Sequence, residues 1–347
     1  MKLSPLTVLV LHEAIGPVAR ADELDTLIQA EQVSVALRKL GLRVSTMRAG
    51  LDLGATLASV KALQPDLVFN LVESLGGDGR MIHFLPTLLR SADVPFTGSD
   101  GDAIYLSSQK QLAKKWMRLT AIPTPVCIDE DAEGDDSDGR WIVKSVWEHA
   151  SFGMDDGCVI DGTRAAKTRI ADSIARHGGE WFAEQFIDGR EFNISVLERA
   201  GHAYVLPIAE IGFSGFPPGK PKIVGYAAKW QENAPEYLAT PRIFPDLPEG
   251  LHDALTRVAQ RCWKSFGMHG YARVDIRVDS DGNPWVLEVN ANPCLTRDAG
   301  FAAAAERAGI GYEQLIELVV TAGLETGPSV ETLTAGRPKR ISSVGKG

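Results

Sequence analysis

The stretch from Tyr271 to Thr296, YARVDIRVDSDGNPWVLEVNANPCLT, constrains this chain more than any other. It predicts two antiparallel strands joined by the tight turn Ser280-Asp281-Gly282-Asn283, because Asp-Gly between alternating runs is a strong hairpin signal. Counting outward from Ser280 and Asn283 sets Asp275 opposite Glu288 and Arg273 opposite Asn290. Alternation then puts Arg273, Asp275, Glu288 and Asn290 on one face and Val274, Ile276, Leu287 and Val289 on the other. Directly opposed like charges destabilise a sheet, so the facing carboxylates need a reason. One reason is a hard cation such as Mg²⁺, which suits carboxylates beside an amide oxygen and is commonly shared with substrate phosphates. Arg273 would then serve an anion at the metal. The other reason is a solvated face, with both carboxylates neutralised by Arg273 and Arg277. The polar turn Asn290-Ala291-Asn292-Pro293 and the segments upstream favour the cation.

The first hundred residues alternate strand and helix. Leu6–Leu11 reads as a buried strand, Asp22–Leu40 as a helix stopped by Gly41, Arg43–Met47 as a strand, Leu57–Leu63 as part of a helix and Asp66–Val72 as a third strand. This order predicts a doubly wound parallel sheet whose ligands sit beyond the carboxyl ends of its strands. His12-Glu13 and the glycine-rich Glu73–Arg80 stand at those ends. The latter could offer backbone N–H groups to an anion at a helix near Met81–Arg90, although such loops are commonly plain turns. A helix from about Asp102 to Leu119 carries Lys110, Lys114 and Lys115, and Pro123 and Pro125 then break the chain. A small unit follows, with strands near Val126–Ile128, Trp141–Ser145 and Trp181–Phe186, an acidic loop Asp129–Gly139, a loop Trp147–Gly157 and a helix near Arg164–His177. A hairpin over Glu191–Leu206, a helix Leu251–Phe266, the first-named hairpin and helices Ala299–Ala308 and Tyr312–Ala322 come next. A Gly/Pro/Ser/Lys tail closes the chain.

At 347 residues the chain exceeds one core and predicts two or three domains. Its 44% hydrophobic and 23% charged content is that of a soluble globular protein. A net charge of -9 argues against a nucleic-acid partner, and no apolar run approaches the roughly 20 residues that span a bilayer. Met1–Glu13 reads as a strand rather than a signal peptide. Cys127, Cys158, Cys262 and Cys294 lie far apart without CxxC or zinc spacing, which predicts free thiols in a reducing cytosol.

Lys144 ends a strand before Glu148-His149-Ala150-Ser151-Phe152-Gly153-Met154, a small, polar, glycine-bearing loop. Such a pairing can lay an ammonium and backbone donors along a polyphosphate, and the Walker spacing is absent. Phe186 and Ile187 could pack on an aromatic base beside Glu184, a neighbouring backbone group pairing with its edge, and Glu191 would reach a ribose hydroxyl. Taken singly, Phe186 fits a core position as well, and Glu191 a strand-surface charge. His149 is a candidate for substrate contact, with an idle loop histidine as the alternative.

In the order Lys110, Lys144 with its loop, Glu184-Gln185-Phe186-Ile187, Glu191, Lys229, Arg273-x-Asp275 and Glu288-x-Asn290, the chain resembles the ATP-grasp superfamily. Within it the resemblance is to D-alanine–D-alanine ligases, from about Leu6 to Ala322. The VFN…GGDGR, PFTGS and RVDIRVDSDGNPWVLEVNANP segments carry it most specifically. The resemblance implies an α/β fold, α+β in its C-terminal part, with three domains. Residues 1–100 would form the doubly wound substrate-side domain, 101–190 a helix plus the small central ATP-grasp domain, 191–325 the C-terminal domain with the metal site, and 326–347 a flexible tail.

The resemblance further implies ATP held between two antiparallel sheets, with Mg²⁺, or Mn²⁺ in its place, bridging the phosphates. By motif position Asp275, Glu288 and Asn290 match metal ligands, and Lys110, Lys144 and Lys229 match phosphate contacts. Glu184, Phe186, Ile187 and Glu191 match the adenine–ribose contacts. Arg273, with Lys229 and Ser151, matches the catalytic group, Arg273 steadying the acyl phosphate and the tetrahedral intermediate. The implied protein is a cytoplasmic, homodimeric ligase acting on ATP and small amino-acid-like substrates, with neither nucleic acid nor membrane as partner.

Departures from the family cluster at the substrate end. Asp22-Glu23-Leu24-Asp25-Thr26 stands where the ligases carry Glu-Val-Ser, Ala150-Ser151 replaces a serine pair, and Trp230 replaces a tyrosine. Cys294-Leu295-Thr296 replaces Gly-Met-Thr, and Ala299 replaces a serine that holds the second substrate's carboxylate. The leading expectation is therefore an ATP-dependent carboxylate–amine ligase with a rewritten acceptor site. The alternatives are an authentic D-alanine–D-alanine ligase of peptidoglycan synthesis and a non-catalytic ATP-binding sensor.

Overall fold

The structure, a computed structural model, describes residues 6–16, 21–128, 139–147, 151–231 and 233–325. The acidic loop from Asp129 (save its last residue, Gly139), the residues Glu148, His149 and Ala150, the side chain of Glu23 and the tail beyond 325 lie outside the described residues.

Three strands, β1 (Thr7–Glu13), β2 (Arg43–Ala49) and β3 (Leu67–Asn70), form a parallel sheet in the order β2-β1-β3. Phe96 extends it through a parallel bridge to Val68. Helix α1 (Ala21–Lys39) packs on one face, and α2 (Leu53–Leu63) and α3 (Phe84–Ser91) pack on the other. A strand covered on both faces reads as an unbroken apolar run, which is why Val8-Leu9-Val10-Leu11 is wholly buried.

The single helix expected from Asp102 to Leu119 is two, α4 (Gly101–Ser108) and α5 (Lys110–Leu119). Gln109 between them is extended, and its side chain accepts from the Leu112 N–H as the cap of α5. That break frees the Lys110 amide to donate to the Val146 carbonyl at 3.1 Å, which fixes the start of α5 against the small sheet.

The small sheet is antiparallel in the order β5-β4-β6, from β4 (Arg140–Ser145), β5 (Val159–Asp161) and β6 (Trp181–Gln185), with α6 (Thr163–His177) against it. The strand expected near Val126–Ile128 is reduced to one bridge, Cys127 to Glu184, because Pro123 and Pro125 withhold ladder donors.

The large sheet is antiparallel and six-stranded, β10-β9-β7-β11-β12 with β8 beside β7. Its strands are β7 (Arg190–Arg199), β8 (His202–Val205), β9 (Ala209–Ile211), β10 (Arg242–Ile243), β11 (Tyr271–Val278) and β12 (Pro284–Asn290). Two short helices, α7 (Tyr226–Trp230) and α8 (Pro235–Leu238), interrupt the path from β9 to β10. Helix α9 (Glu249–Phe266), together with α4 and α5, covers the apolar face of this sheet. After β12 come α10 (Gly300–Arg307) and α11 (Tyr312–Glu325), and α11 returns to cover the first sheet beside α1.

Asp275 does face Glu288, and Arg273 faces Asn290. The turn-side half of the hairpin departs from expectation: the register shifts after Asp275, so that Ile276 pairs with Val286 and Leu287 is an extra residue. Residues 279–283 form the connection, organised by Asp279, whose carboxylate accepts from the Asp281 and Asn283 amides and from Trp285 Nε1. A bulge turns its residue out of the alternation. Leu287 therefore leaves the buried face predicted for it and lines the cavity described next, while Val274, Ile276 and Val289 stay in the core.

Candidate active site

A cavity of about 620 Å³ opens where the small sheet, the large sheet and the carboxyl ends of β1 and β3 meet. The residues matched above to metal, phosphate, adenine–ribose and catalytic roles all line it: Lys110, Lys144, Ser151, Glu184, Phe186, Ile187, Glu191, Lys229, Arg273, Asp275, Glu288 and Asn290.

At its centre the Arg273 guanidinium grips Asp275 with two arms, Nε to Oδ1 at 2.7 Å and Nη2 to Oδ2 at 2.8 Å, and comes within 3.8 Å of Glu288. Asn193, across the β7–β11 rung from Asp275, donates to the same carboxylate at 2.8 Å. Burial disfavours charge on Arg273, but Asp275 and Glu288 outweigh it and hold its pKa above the ordinary value. Burial raises the Asp275 carboxyl against the pull of Arg273. Burial also lowers the pKa of Lys229, and Arg273 lowers it further.

The donor set of two carboxylates and an amide oxygen is all hard oxygen, and so fits Mg²⁺. Among the described residues no group of three or more His, Cys, Asp or Glu side chains could hold a metal. A cation here would therefore complete its shell with water and phosphate oxygens.

Beside this centre, Glu184 is buried between two ammonium groups. It takes Lys144 Nζ at 2.7 Å on one oxygen and Lys114 Nζ on the other. Burial raises its pKa, and the two lysines outweigh that and bring it below the usual carboxylate range. Burial lowers Lys144, and Glu184 more than restores it. The carboxylate expected near a base is thus engaged within the protein, where it holds Lys144.

Ser151 Oγ donates to the Val224 carbonyl at 2.8 Å, and the Tyr226 amide donates to the Met154 carbonyl at 3.1 Å. These bonds join the loop after β4 to the segment before α7 over the cavity. The glycine-rich loop after β3 leads into a short helical turn, Gly79–Met81, which Asp78 caps through the Arg80 amide while also gripping the Arg80 side chain.

At the substrate end, Cys294 Sγ donates to Asp25 at 3.1 Å and lies 3.2 Å from Thr296 Oγ1. Burial, then Asp25, pushes the thiol up to about 12, so Cys294 is no thiolate nucleophile. Glu13 and Glu73 line this end, and both stand in strand-end segments visible in the sequence. Asp298 and Arg242 also line it, Arg242 donating to the Asp298 carbonyl at 3.1 Å. Arg242 carried no signal, because β10 is two residues long and has no pattern to read.

Comparison with known proteins decides the relationship. The family model for the C-terminus of D-Ala-D-Ala ligase matches residues 141–321, and the D-alanine–D-alanine ligase of Stutzerimonas stutzeri is 31% identical over 306 residues, 85% of this chain and 88% of that protein. The chain belongs to the D-alanine–D-alanine ligase family. Another member, from Aquifex aeolicus, is 28% identical over 301 residues, 85% of this chain and 94% of its own length. The crystal structure of the Bacillus anthracis D-alanine–D-alanine ligase complexed with ATP superposes with a TM-score of 0.71 over 92% of this chain and 98% of that one, at 20% identity, and so shares its fold. The protein is accordingly an ATP-dependent enzyme of the amide-bond-forming ligases.

Proposed function

We propose that this enzyme joins a small amino acid or similar acid to an amine through an acyl phosphate, in three domains with the boundaries expected above. The observation that carries the reading is the convergence of Arg273, Asp275, Glu288, Lys144 and Lys229 in one cavity. A substrate carboxylate oxygen attacks the γ-phosphorus of ATP, ADP leaves, and the carboxylate becomes an acyl phosphate. The amine nitrogen then attacks the acyl carbon, the tetrahedral intermediate expels phosphate, and the nitrogen loses a proton.

Such a site works by positioning and by charge neutralisation rather than by a protein nucleophile. Lys110, Lys144 and Lys229 hold the phosphates. Arg273 is anchored by Asp275 and meets the charge that develops at the acyl group. Asp275, Glu288 and Asn290 would hold Mg²⁺, which when bound screens phosphate charge. Phe186 and Ile187 take the base and Glu191 the ribose, with Glu184 fixing Lys144. Ser151 closes the covering loop. A cytoplasmic setting and a homodimer are carried over from the family resemblance; among the described residues no helix is long and apolar enough to cross a membrane.

A second reading, an authentic D-alanine–D-alanine ligase, is favoured by the names of the relatives that cover most of the chain. Asp25 bound to Cys294, together with Ala299, favours other substrates. A sensor without catalysis finds no support beside a fully assembled Arg273–Asp275 pair.

Phosphate release from ATP and Mg²⁺ against D- and L-amino acids, singly and in pairs, with product masses read in parallel, tests these readings. Product from D-alanine alone selects the second. Product only from another pair selects the first. ATP bound without turnover on any pair would defeat both.

A further inference from the structure

Arg277 is 3% exposed, stands on β11 two residues beyond Asp275 and lines the same cavity. Its guanidinium lies over the rings of Phe186 and Phe213, 5.3 and 5.6 Å from their centroids. Nη1 donates to the Ile187 carbonyl at 3.0 Å. Nε and Nη2 donate to Glu191 at 3.1 and 2.8 Å, and Nη2 also reaches the Lys222 carbonyl. These acceptors come from three segments: the end of β6, the start of β7 and the stretch leading to α7. A guanidinium buried this deeply carries a large desolvation cost, and stability alone is commonly served as well by an apolar side chain of similar size. Its presence in the lining of the cavity points to a task in binding.

The two bonds to Glu191 fall on one oxygen, Oε2, and Oε1 takes neither. An ionised carboxylate is acceptor-only, so a Glu191 held this way presents an oriented acceptor to hydroxyl donors. We propose that Arg277 is a positioning residue for nucleotide selection: it orients Glu191 toward the ribose hydroxyls and fixes the Ile187 backbone beside the base, so that the enzyme prefers ribonucleotides to deoxyribonucleotides. This rests on the reading that Phe186–Glu191 receive the base and sugar. Lysine would not replace it, because a point charge cannot serve three acceptors in one plane.

The test is calorimetric binding of ATP, 2′-deoxy-ATP and 3′-deoxy-ATP, each with Mg²⁺, to the parent protein and to Arg277→Met, Arg277→Lys, Glu191→Gln and the Arg277→Met/Glu191→Gln double variant. The parent should prefer ATP over at least one deoxynucleotide by roughly tenfold or more, the scale of a hydrogen bond to a charged group. Arg277→Met and Glu191→Gln should each bring that ratio close to one, and the double variant should lower it no further, since coupled residues are not additive. If Arg277→Met does not fold, Arg277→Lys is read by the same ratio. An Arg277 variant that weakens all three nucleotides equally and keeps the ratio shows a structural role only and overturns the inference. So does a parent that binds ATP without preference for the ribose hydroxyls. A parent that binds none of the three overturns instead the nucleotide reading on which the inference rests.

Discussion

Asp275 and Glu288 face each other across one rung, yet they are held differently. Asp275 carries both arms of Arg273 and the Asn193 amide, whereas Glu288 meets Arg273 only at 3.8 Å. Asp275→Asn therefore takes the charged acceptor from a buried guanidinium, and breaking such a pair costs about 3–5 kcal/mol. Glu288→Gln leaves the fork closed. The expected outcome is that Glu288→Gln, which keeps the Arg273–Asp275 fork, melts above Asp275→Asn but loses ATP turnover by at least ~10²-fold, the scale of a lost electrostatic contact in a closed site. Asp275→Asn should lose turnover and melt several degrees lower. Melting curves and ADP release on the same preparations check both. Equal melting temperatures would show that Asp275 does not anchor Arg273, and normal turnover by Glu288→Gln would remove Glu288 from the metal set. The facing pair was counted from a two-residue turn, and it survives because the bulge at Leu287 offsets the longer connection and restores the rung. The fork belongs to the alternative expectation that Arg273 and Arg277 neutralise the carboxylates: Arg273 does so, whereas Arg277 pairs with Glu191 instead.

The elements were legible where period and length were strong: β1, α1, α9, β11 and β12 lie within a few residues of expectation. The three-residue β5 and β9 and the two-residue β10 were not, because strands so short exist through their partners rather than through local preference. Nor was the break at Gln109, where an unbroken helical pattern hides a side-chain cap. The bulge at Leu287 belongs here too, and it has a consequence for stability. It turns the Leu287 carbonyl to Lys114 Nζ at 3.2 Å, and the same ammonium donates to Thr124 Oγ1 at 3.0 Å and pairs with Glu184. Lys114 thus ties β12, beside Glu288, to β6 and Lys144, with its three protons satisfied at 1% exposure. Lys114→Met should lower stability by about 1.5–3 kcal/mol, the scale of a hydrogen bond to a charged group, because Glu184 keeps Lys144. The pH dependence has a definite sign. With its pKa depressed in the fold, Glu184 contributes stability above the ordinary carboxylate range and loses it as pH falls through the depressed value. Removing one of its two cations raises that pKa, so the acid limb of stability moves to higher pH. Denaturant melts from neutral to acid pH check this; an unmoved limb would mean Lys144 alone sets the ionisation of Glu184.

At the scale of the molecule, the cavity is shared among the sheets, and what closes it comes from two of them. The loop after β4 and the segment before α7 are joined by the Ser151–Val224 and Tyr226–Met154 bonds and by Lys220, which reaches Asp156 at 3.1 Å and Glu236 at 2.5 Å. Gly225 allows the close approach, since a Cβ there would sit 2.9 Å from the Met154 carbonyl oxygen. Cover of this kind packs Met154 and Ile223 into a small apolar cluster outside the large cores, and such segments open well below the global unfolding free energy. Backbone amides of Gly153–Gly157 and Ile223–Trp230 should therefore exchange faster than those of β7 and β11 in the free enzyme. ATP with Mg²⁺ should slow both segments together, because each is the other's hydrogen-bond partner. Lys220→Ala should speed exchange in both while weakening ATP binding less than about fivefold, since partly exposed ion pairs contribute roughly 0.2–1 kcal/mol. Hydrogen exchange read by mass spectrometry follows both segments at once. Protection of one segment without the other would mean that they do not act as one cover, and that water reaches an acyl phosphate from the unprotected side.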